Sequence, residues 1–168
     1  MPEKRAMVFV DAQNITHAAE DFYGKPKQLD PAYLVDFFTD KYDLIRPYWF
    51  DSHPPESYPQ NFYHFLKMEG GYRVTSKGLR ERNDGYVEKG VDIELATELI
   101  AQGFNDSYDV AVIISGDTDY EKAIRYVQDQ GKRVVAATFE NNASGELKGL
   151  VDEFIDLGEH SRELRRDD

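Results

Sequence analysis

The chain has no cysteine. Disulfides, thiolate zinc sites and cysteine nucleophiles are excluded together. No stretch approaches the about 18 consecutive apolar residues of a membrane-spanning helix. The first apolar run, AMVFV (6–10), meets Asp11 too soon to be the apolar region of a signal peptide, and it reads as a buried strand. A cytoplasmic protein with no membrane contact is the expectation. Positive charge is also scarce, with 20 Lys and Arg against 32 Asp and Glu and a formal net charge of −12. So acidic a chain lacks the broad basic surface on which phosphate neutralisation usually rests. It does not lack local acids, and an enzyme that handles phosphodiesters through bound cations needs those, with only a local basic approach. The four histidines (17, 53, 64, 160) form no pair at ligand spacing. No G-x-G-x-x-G follows the first strand, which removes a dinucleotide-binding fold.

What is present fits one domain over residues 1–158, with a charged tail over 159–168 that frays. A length of 168 residues and an apolar content of 40% suffice for a real core. Strands are expected at 6–10, 44–50, 72–76, 109–114, 132–138 and FIDL (154–157). Between them the pattern predicts helices from Asp30-Pro31 to about Tyr42 and over 60–69, stopped by Gly70-Gly71. Further helices are expected from Val91 (VDIELATELIAQGF), over 118–130 and over 144–152. Strands alternating with helices mean a mostly parallel sheet covered on both faces. Ligands of such sheets collect outside the carboxyl ends of the strands. Asp11 and Asp117 both stand at such ends, so the two carboxylates belong on one rim.

Two like charges about 4 Å apart repel by ~4 kcal/mol at an effective dielectric of 20, so a gathering of carboxylates implies a compensating cation, a shared proton or nearby lysines. Oxygen donors alone favour Mg²⁺ or Mn²⁺ over zinc. Asp92 is the third candidate, heading a stripe with Ala96 and Leu99; alone it would be an ordinary first-turn carboxylate favoured by the helix dipole. Asp119 is a turn residue or a supplementary ligand, and Thr118 a turn residue. Asn14 is an N-cap, a holder of phosphate or metal-bound water, or both. Asp51 reads as a strand-end residue. The segment 73–89, with Arg73, Lys77, Arg80, Arg82 and Lys89, is the most basic window and leads into Asp92. It is read as a substrate-facing loop, with a mobile surface loop as the alternative.

In their order along the chain, FVDAQNI (9–15), KGVDIELATELI (89–100), VIISGDTDYEKAI (112–124), GKRVVAATF (131–139) and LVDEFIDL (150–157) resemble the NYN domain, LabA-like group, of the PIN-like nuclease superfamily. The resemblance spans nearly the whole chain. It implies a PIN-like three-layer α/β/α sandwich with a mostly parallel central sheet. It also implies a metal-dependent ribonuclease that leaves 5′-phosphate ends. By motif, Asp11, Asp92, Asp117 and Asp119 become the catalytic, metal-holding set. On that reading Asn14, Ser115 and Thr118 orient waters or phosphate, and Lys77, Arg80, Arg82 and Lys89, taken from the basic composition of 73–89, face the substrate. RNA, single-stranded or structured, is the expected partner, and a homo-oligomer is open through the aromatic residues of 48–65.

The competing reading is a non-catalytic RNA-binding or regulatory module that keeps the fold. A haloacid-dehalogenase phosphatase needs a second Asp two residues after the first, where this chain has Gln13. A Toprim-type site wants a glutamate after the first strand, where this chain has Asp11.

Overall fold

The computed structural model describes residues 3–82, 85–87 and 90–166; for Arg80, Glu81, Arg82, Tyr86 and Val87 it describes the backbone alone. Six strands form the central sheet: β1 (Arg5–Asp11), β2 (Asp43–His53), β3 (Arg73–Gly78), β6 (Val110–Ile114), β7 (Arg133–Thr138) and β8 (Glu153–Asp156). Their spatial order is β3-β2-β1-β6-β7-β8, and every pair is parallel. Strands β4 (Arg80–Arg82) and β5 (Gly85–Val87) form a separate antiparallel hairpin. It lies within the segment read as a substrate-facing loop.

Parallel strands covered on both faces read as continuous apolar runs, and β6 (VAVII) is buried at every position. The period-two alternation of strand side chains then builds two cores. Val8, Val10, Val112 and Ile114 face α1 (Ala12–Tyr23), α2 (Pro31–Thr39) and α3 (Gln60–Gly70), where Ile15, Leu34, Phe38 and Leu66 pack. Phe9, Ile113 and Ala136 face α4 (Val91–Phe104), α5 (Glu121–Asp129) and α6 (Gly145–Leu150), supplying Leu95, Leu99, Ile124, Val127 and Leu147. The result is the expected α/β/α sandwich, its sheet wholly parallel. Full burial of a Leu such as Leu95 or Leu99 contributes about 1.5–3 kcal/mol.

Three local expectations change. Strand β2 runs on through Asp51 to His53, so Asp51 lies within the ladder, paired with Ser76. The fifth helix starts later, because Thr118–Tyr120 forms a 3₁₀ turn capped by Asp117. The tail does not fray from Gly158: a 3₁₀ turn over Leu157–His160 leads into α7 (Ser161–Leu164). Leu164 is wholly buried, and the Arg166 amide donates to the Gln28 carbonyl at 2.6 Å.

The strand order reverses at β1, with β2 on one side and β6 on the other. In an open α/β sheet this reversal leaves a crevice at the carboxyl ends of the two central strands, because their crossovers depart toward opposite faces.

Candidate active-site cleft

Asp11 ends β1, and Ser115 follows the last residue of β6. Val10 pairs with Ile114 in the ladder, so the two side chains arrive side by side. Alternation sends both to the face covered by α4 and α5. Ser115 Oγ donates to Asp11 Oδ2 at 3.1 Å, and the Tyr120 hydroxyl donates to the same oxygen at 3.0 Å. Asp11 Oδ1 accepts from the Asn14 amide at 3.4 Å. Helix α1 therefore begins directly after β1 with Asp11 as its N-cap, and Asn14 sits inside the first turn. That corrects the expectation that Asn14 caps the helix.

The Asn14 side chain points along the rim instead. Its Oδ1 accepts from the Gly116 amide at 3.0 Å and from Asn142 Nδ2 at 2.7 Å. Asn142 Nδ2 also donates to Thr138 Oγ1 at 2.8 Å. This clasp ties the turn after β6 to the segment after β7. It leaves Asn14 Nδ2 and Asn142 Oδ1 without partners among the described residues.

Around these groups opens a cleft of about 470 Å³, lined by Asp11, Gln13, Asn14, His17, Asp92, Asp117, Asp119, Tyr120 and Asn142. The four aspartates arrive from three separated segments. Asp11 ends β1, and Asp92 lies in the first turn of α4 behind Gly90, whose φ of 84° needs a glycine. Asp117 and Asp119 come from the 3₁₀ turn, where Asp117 Oδ1 accepts from the Asp119 amide at 2.9 Å.

Burial raises the Asp11 pKa above the ordinary carboxylate range, against the lowering effect of its hydrogen bonds from Tyr120, Asn14 and Ser115; the charge of Asp117 raises it further. Burial also drives the Tyr120 pKa far up, as do the negative charges of Asp11, Asp117 and Asp92. Tyr120 is thus fixed as a hydrogen-bond donor, and three of the aspartates act on one hydroxyl.

Among the described residues, no three carboxylate or imidazole groups stand close enough to enclose a cation by themselves. The donor set is nonetheless all oxygen and negatively charged. That suits a hard divalent cation that keeps much of its water and needs few protein ligands.

The other anticipated residues are placed differently. Ser115 is wholly buried and reaches the cleft only through Asp11 and the Asp117 amide, to which its Oγ is an acceptor at 3.1 Å. Thr118 is half-buried in the 3₁₀ turn and does not line the cleft. Lys77 also lies off the lining, paired with Glu94 at 3.0 Å. Arg80 and Arg82 belong to β4, and their side chains lie outside the described residues, as does Lys89 altogether.

Tyr120 and Asn142 were not anticipated. The signal for Asn142 was topological, since the segment after β7 leaves the same rim as Asp11. A neighbouring network was missed too. Asp51, buried, accepts from Gln13 Nε2 at 3.0 Å, the Ser52 amide at 2.8 Å, Trp49 Nε1 at 3.4 Å and the Tyr63 hydroxyl at 3.0 Å. Gln13 thereby joins the cleft to the β2–α3 side of the rim.

A family model for the NYN domain matches residues 5–158. Low amplitude and bright protein LabA of Synechococcus elongatus is 26% identical over 168 aligned residues, covering 92% of this chain and 84% of that protein. An uncharacterized protein of Methanocaldococcus jannaschii is 31% identical over 81 residues, 46% of this chain and 34% of its own length. Among solved structures, a protein of unknown function from Vibrio parahaemolyticus superposes with a TM-score of 0.78 at 18% identity, over 98% of this chain and 97% of its own. At that identity the likeness bears on the fold alone. Among the described residues, no helix is long and apolar enough to cross a membrane.

Proposed function

Because the chain belongs to the NYN domain family, whose members are generally nucleases, we propose that it is a ribonuclease dependent on Mg²⁺ or Mn²⁺, cutting RNA within the strand. One observation carries the reading: Asp11, Asp92, Asp117 and Asp119, distant in sequence, line a single cleft at the carboxyl ends of β1 and β6. These aspartates would hold the cation, directly or through its waters. When bound, the cation supplies an acidified water and positive charge for the scissile phosphate.

The chain's own groups do the rest. Ser115 and Tyr120 hold the Asp11 carboxylate by two hydroxyl donors. Asn14 Nδ2, without a partner among the described residues, offers a hydrogen bond to a phosphate oxygen, its Oδ1 being fixed by Gly116 and Asn142. Purified protein is expected to cut single-stranded RNA with Mn²⁺ or Mg²⁺ and to stop on addition of EDTA. RNA bound but left intact under both metals would favour the second reading, a binding module. The observation on that side is that no three acidic or imidazole groups among the described residues stand close enough together to enclose an ion by themselves.

The raised Asp11 pKa sets a pH dependence. A carboxyl whose folded pKa is raised keeps its proton over a wider acidic range, so the cation-binding form appears only above that raised value. Tyr120→Phe removes a hydrogen bond that lowers this pKa. The acid limb of the kcat/KM profile is expected to move to higher pH in Tyr120→Phe, with a stability loss of about 1 kcal/mol for the deleted hydrogen bond. An unmoved limb would mean that Asp11 does not govern it.

A further inference from the structure

Beyond Gln13 the rim carries rings. Tyr58, in the loop between β2 and α3, is 59% exposed, and Phe62, in the first turn of α3, is 40% exposed. Neither is loose. The Tyr58 ring sits edge-on against His53 and Tyr63, both with centroids at 5.1 Å. Phe62 leans on Tyr63 at 6.0 Å and meets Trp49 edge-on at 5.8 Å. Tyr63 beneath them is buried and locked, its hydroxyl bonded to Asp51 at 3.0 Å and to Ser76 Oγ at 2.8 Å; Ser76 in turn meets His53 Nδ1 at 2.6 Å.

This support is continuous with the cleft. Gln13 lines it and binds Asp51, Asp51 binds Tyr63, and Tyr63 carries Tyr58. In the sequence this stretch is also less acidic than the remainder: residues 57–82 hold five Lys and Arg against two Glu, while the rest of the chain holds 15 against 30.

We propose that Tyr58 and Phe62 form a base-stacking shelf for single-stranded RNA, receiving a nucleotide adjacent to the one in the aspartate cleft. This rests on the ribonuclease reading above and names where its strand runs. Preordered, exposed rings stack any base at little cost in ordering, which is one way proteins bind single strands without reading sequence.

The test is fluorescence anisotropy with a 5′-labelled ten-nucleotide oligoadenylate in EDTA, so that binding is read without turnover, beside an abasic ribose-phosphate strand of equal length. Tyr58→Ala is expected to weaken oligoadenylate binding by about 5- to 100-fold, the range for one stacked base. It should leave binding of the abasic strand unchanged, and Tyr58→Trp should restore oligoadenylate binding. Tyr58 is exposed, so its truncation spares the core, whereas Phe62→Ala is read only beside a melting curve. Oligoadenylate bound equally by wild type and Tyr58→Ala would overturn the shelf and leave the hydrolytic reading standing. Base-dependent binding by a protein that cuts nothing would uphold the shelf and sink the hydrolytic reading. If Tyr58→Ala instead converts a dimer to a monomer in sedimentation without altering RNA binding, the face joins two copies of the chain and the shelf is overturned.

Discussion

Asp117→Asn is expected to lower metal-dependent RNA cleavage by about 10²-fold or more, since loss of even an outer partner of a metal ligand costs about 10–100-fold. The substitution is chosen for what it leaves in place. Asp117 Oδ1 caps the 3₁₀ turn by accepting from the Asp119 amide, and an asparagine carbonyl caps as well as a carboxylate. The fold is kept while one negative charge is removed from a cleft that holds four aspartates. Like charges in proximity repel, so without metal the variant should melt at or slightly above the wild-type temperature. Stabilisation by Mn²⁺, which follows from binding to the folded state alone, should shrink. Asp92→Asn is the parallel case, with the loss of a helix-dipole contact of about 0.3–1 kcal/mol set against the same relief. Wild-type cleavage by both variants, with Mn²⁺ stabilisation intact, would mean that these carboxylates are not the metal's seat. Asp11→Asn is less clean, because Asp11 also caps α1 and receives two buried hydroxyls.

The sheet and its acidic rim were legible because both follow from local pattern plus one topological rule. Runs such as AMVFV and VIIS are short, apolar and stopped by a polar residue, and parallel connections place all such stops at one edge. Asp11 and Asp117 could therefore be brought together without coordinates. Asp92 needed more, since a first-turn aspartate is ordinary. Only the location of the α4 N-terminus beside the crevice separates it from a solvated cap.

What escaped was set by partners remote in the chain. Asp51 looked like a strand terminus because it precedes a proline-rich loop. Its burial depends on Gln13 and Tyr63, 38 and 12 residues away, which supply donors no local pattern announces. The cap that is one of the readings for Asn14 is taken by Asp11, and nothing local shows that α1 begins with no intervening loop. The charged residues after Gly158 hid the apolar anchor Leu164, wholly buried, whose carbonyl accepts from the Asp30 amide at 2.9 Å.

Gly116→Ala is expected to be among the most damaging single-methyl additions to this rim. A Cβ at Gly116 would lie 2.2 Å from the Asn142 carbonyl oxygen and 2.9 Å from its carbonyl carbon, both main-chain atoms, and 2.7 Å from its Nδ2. A flexible side chain could swing aside, but a backbone must be moved. The segment after β7 would retreat from the turn after β6, stretching the bonds from Asn142 Nδ2 and the Gly116 amide to Asn14 Oδ1. Overpacking of this kind costs about 1–3 kcal/mol, and each weakened hydrogen bond adds about 0.5–1.5 kcal/mol. A total of roughly 2–6 kcal/mol lowers the Tm of a chain this size by about 4–24 °C. Cleavage should fall as well, because Asn14 loses the orientation that presents its Nδ2 to the cleft. Asn142→Ala separates the two effects: it removes the clasp without the clash, so its Tm should fall by less. The double variant should not recover, since the closest clash is with main chain that Asn142→Ala leaves in place. Calorimetry of the three variants reads this ordering, and a Gly116→Ala protein that melts with the wild type would show that the turn after β6 and the segment after β7 do not meet at this glycine.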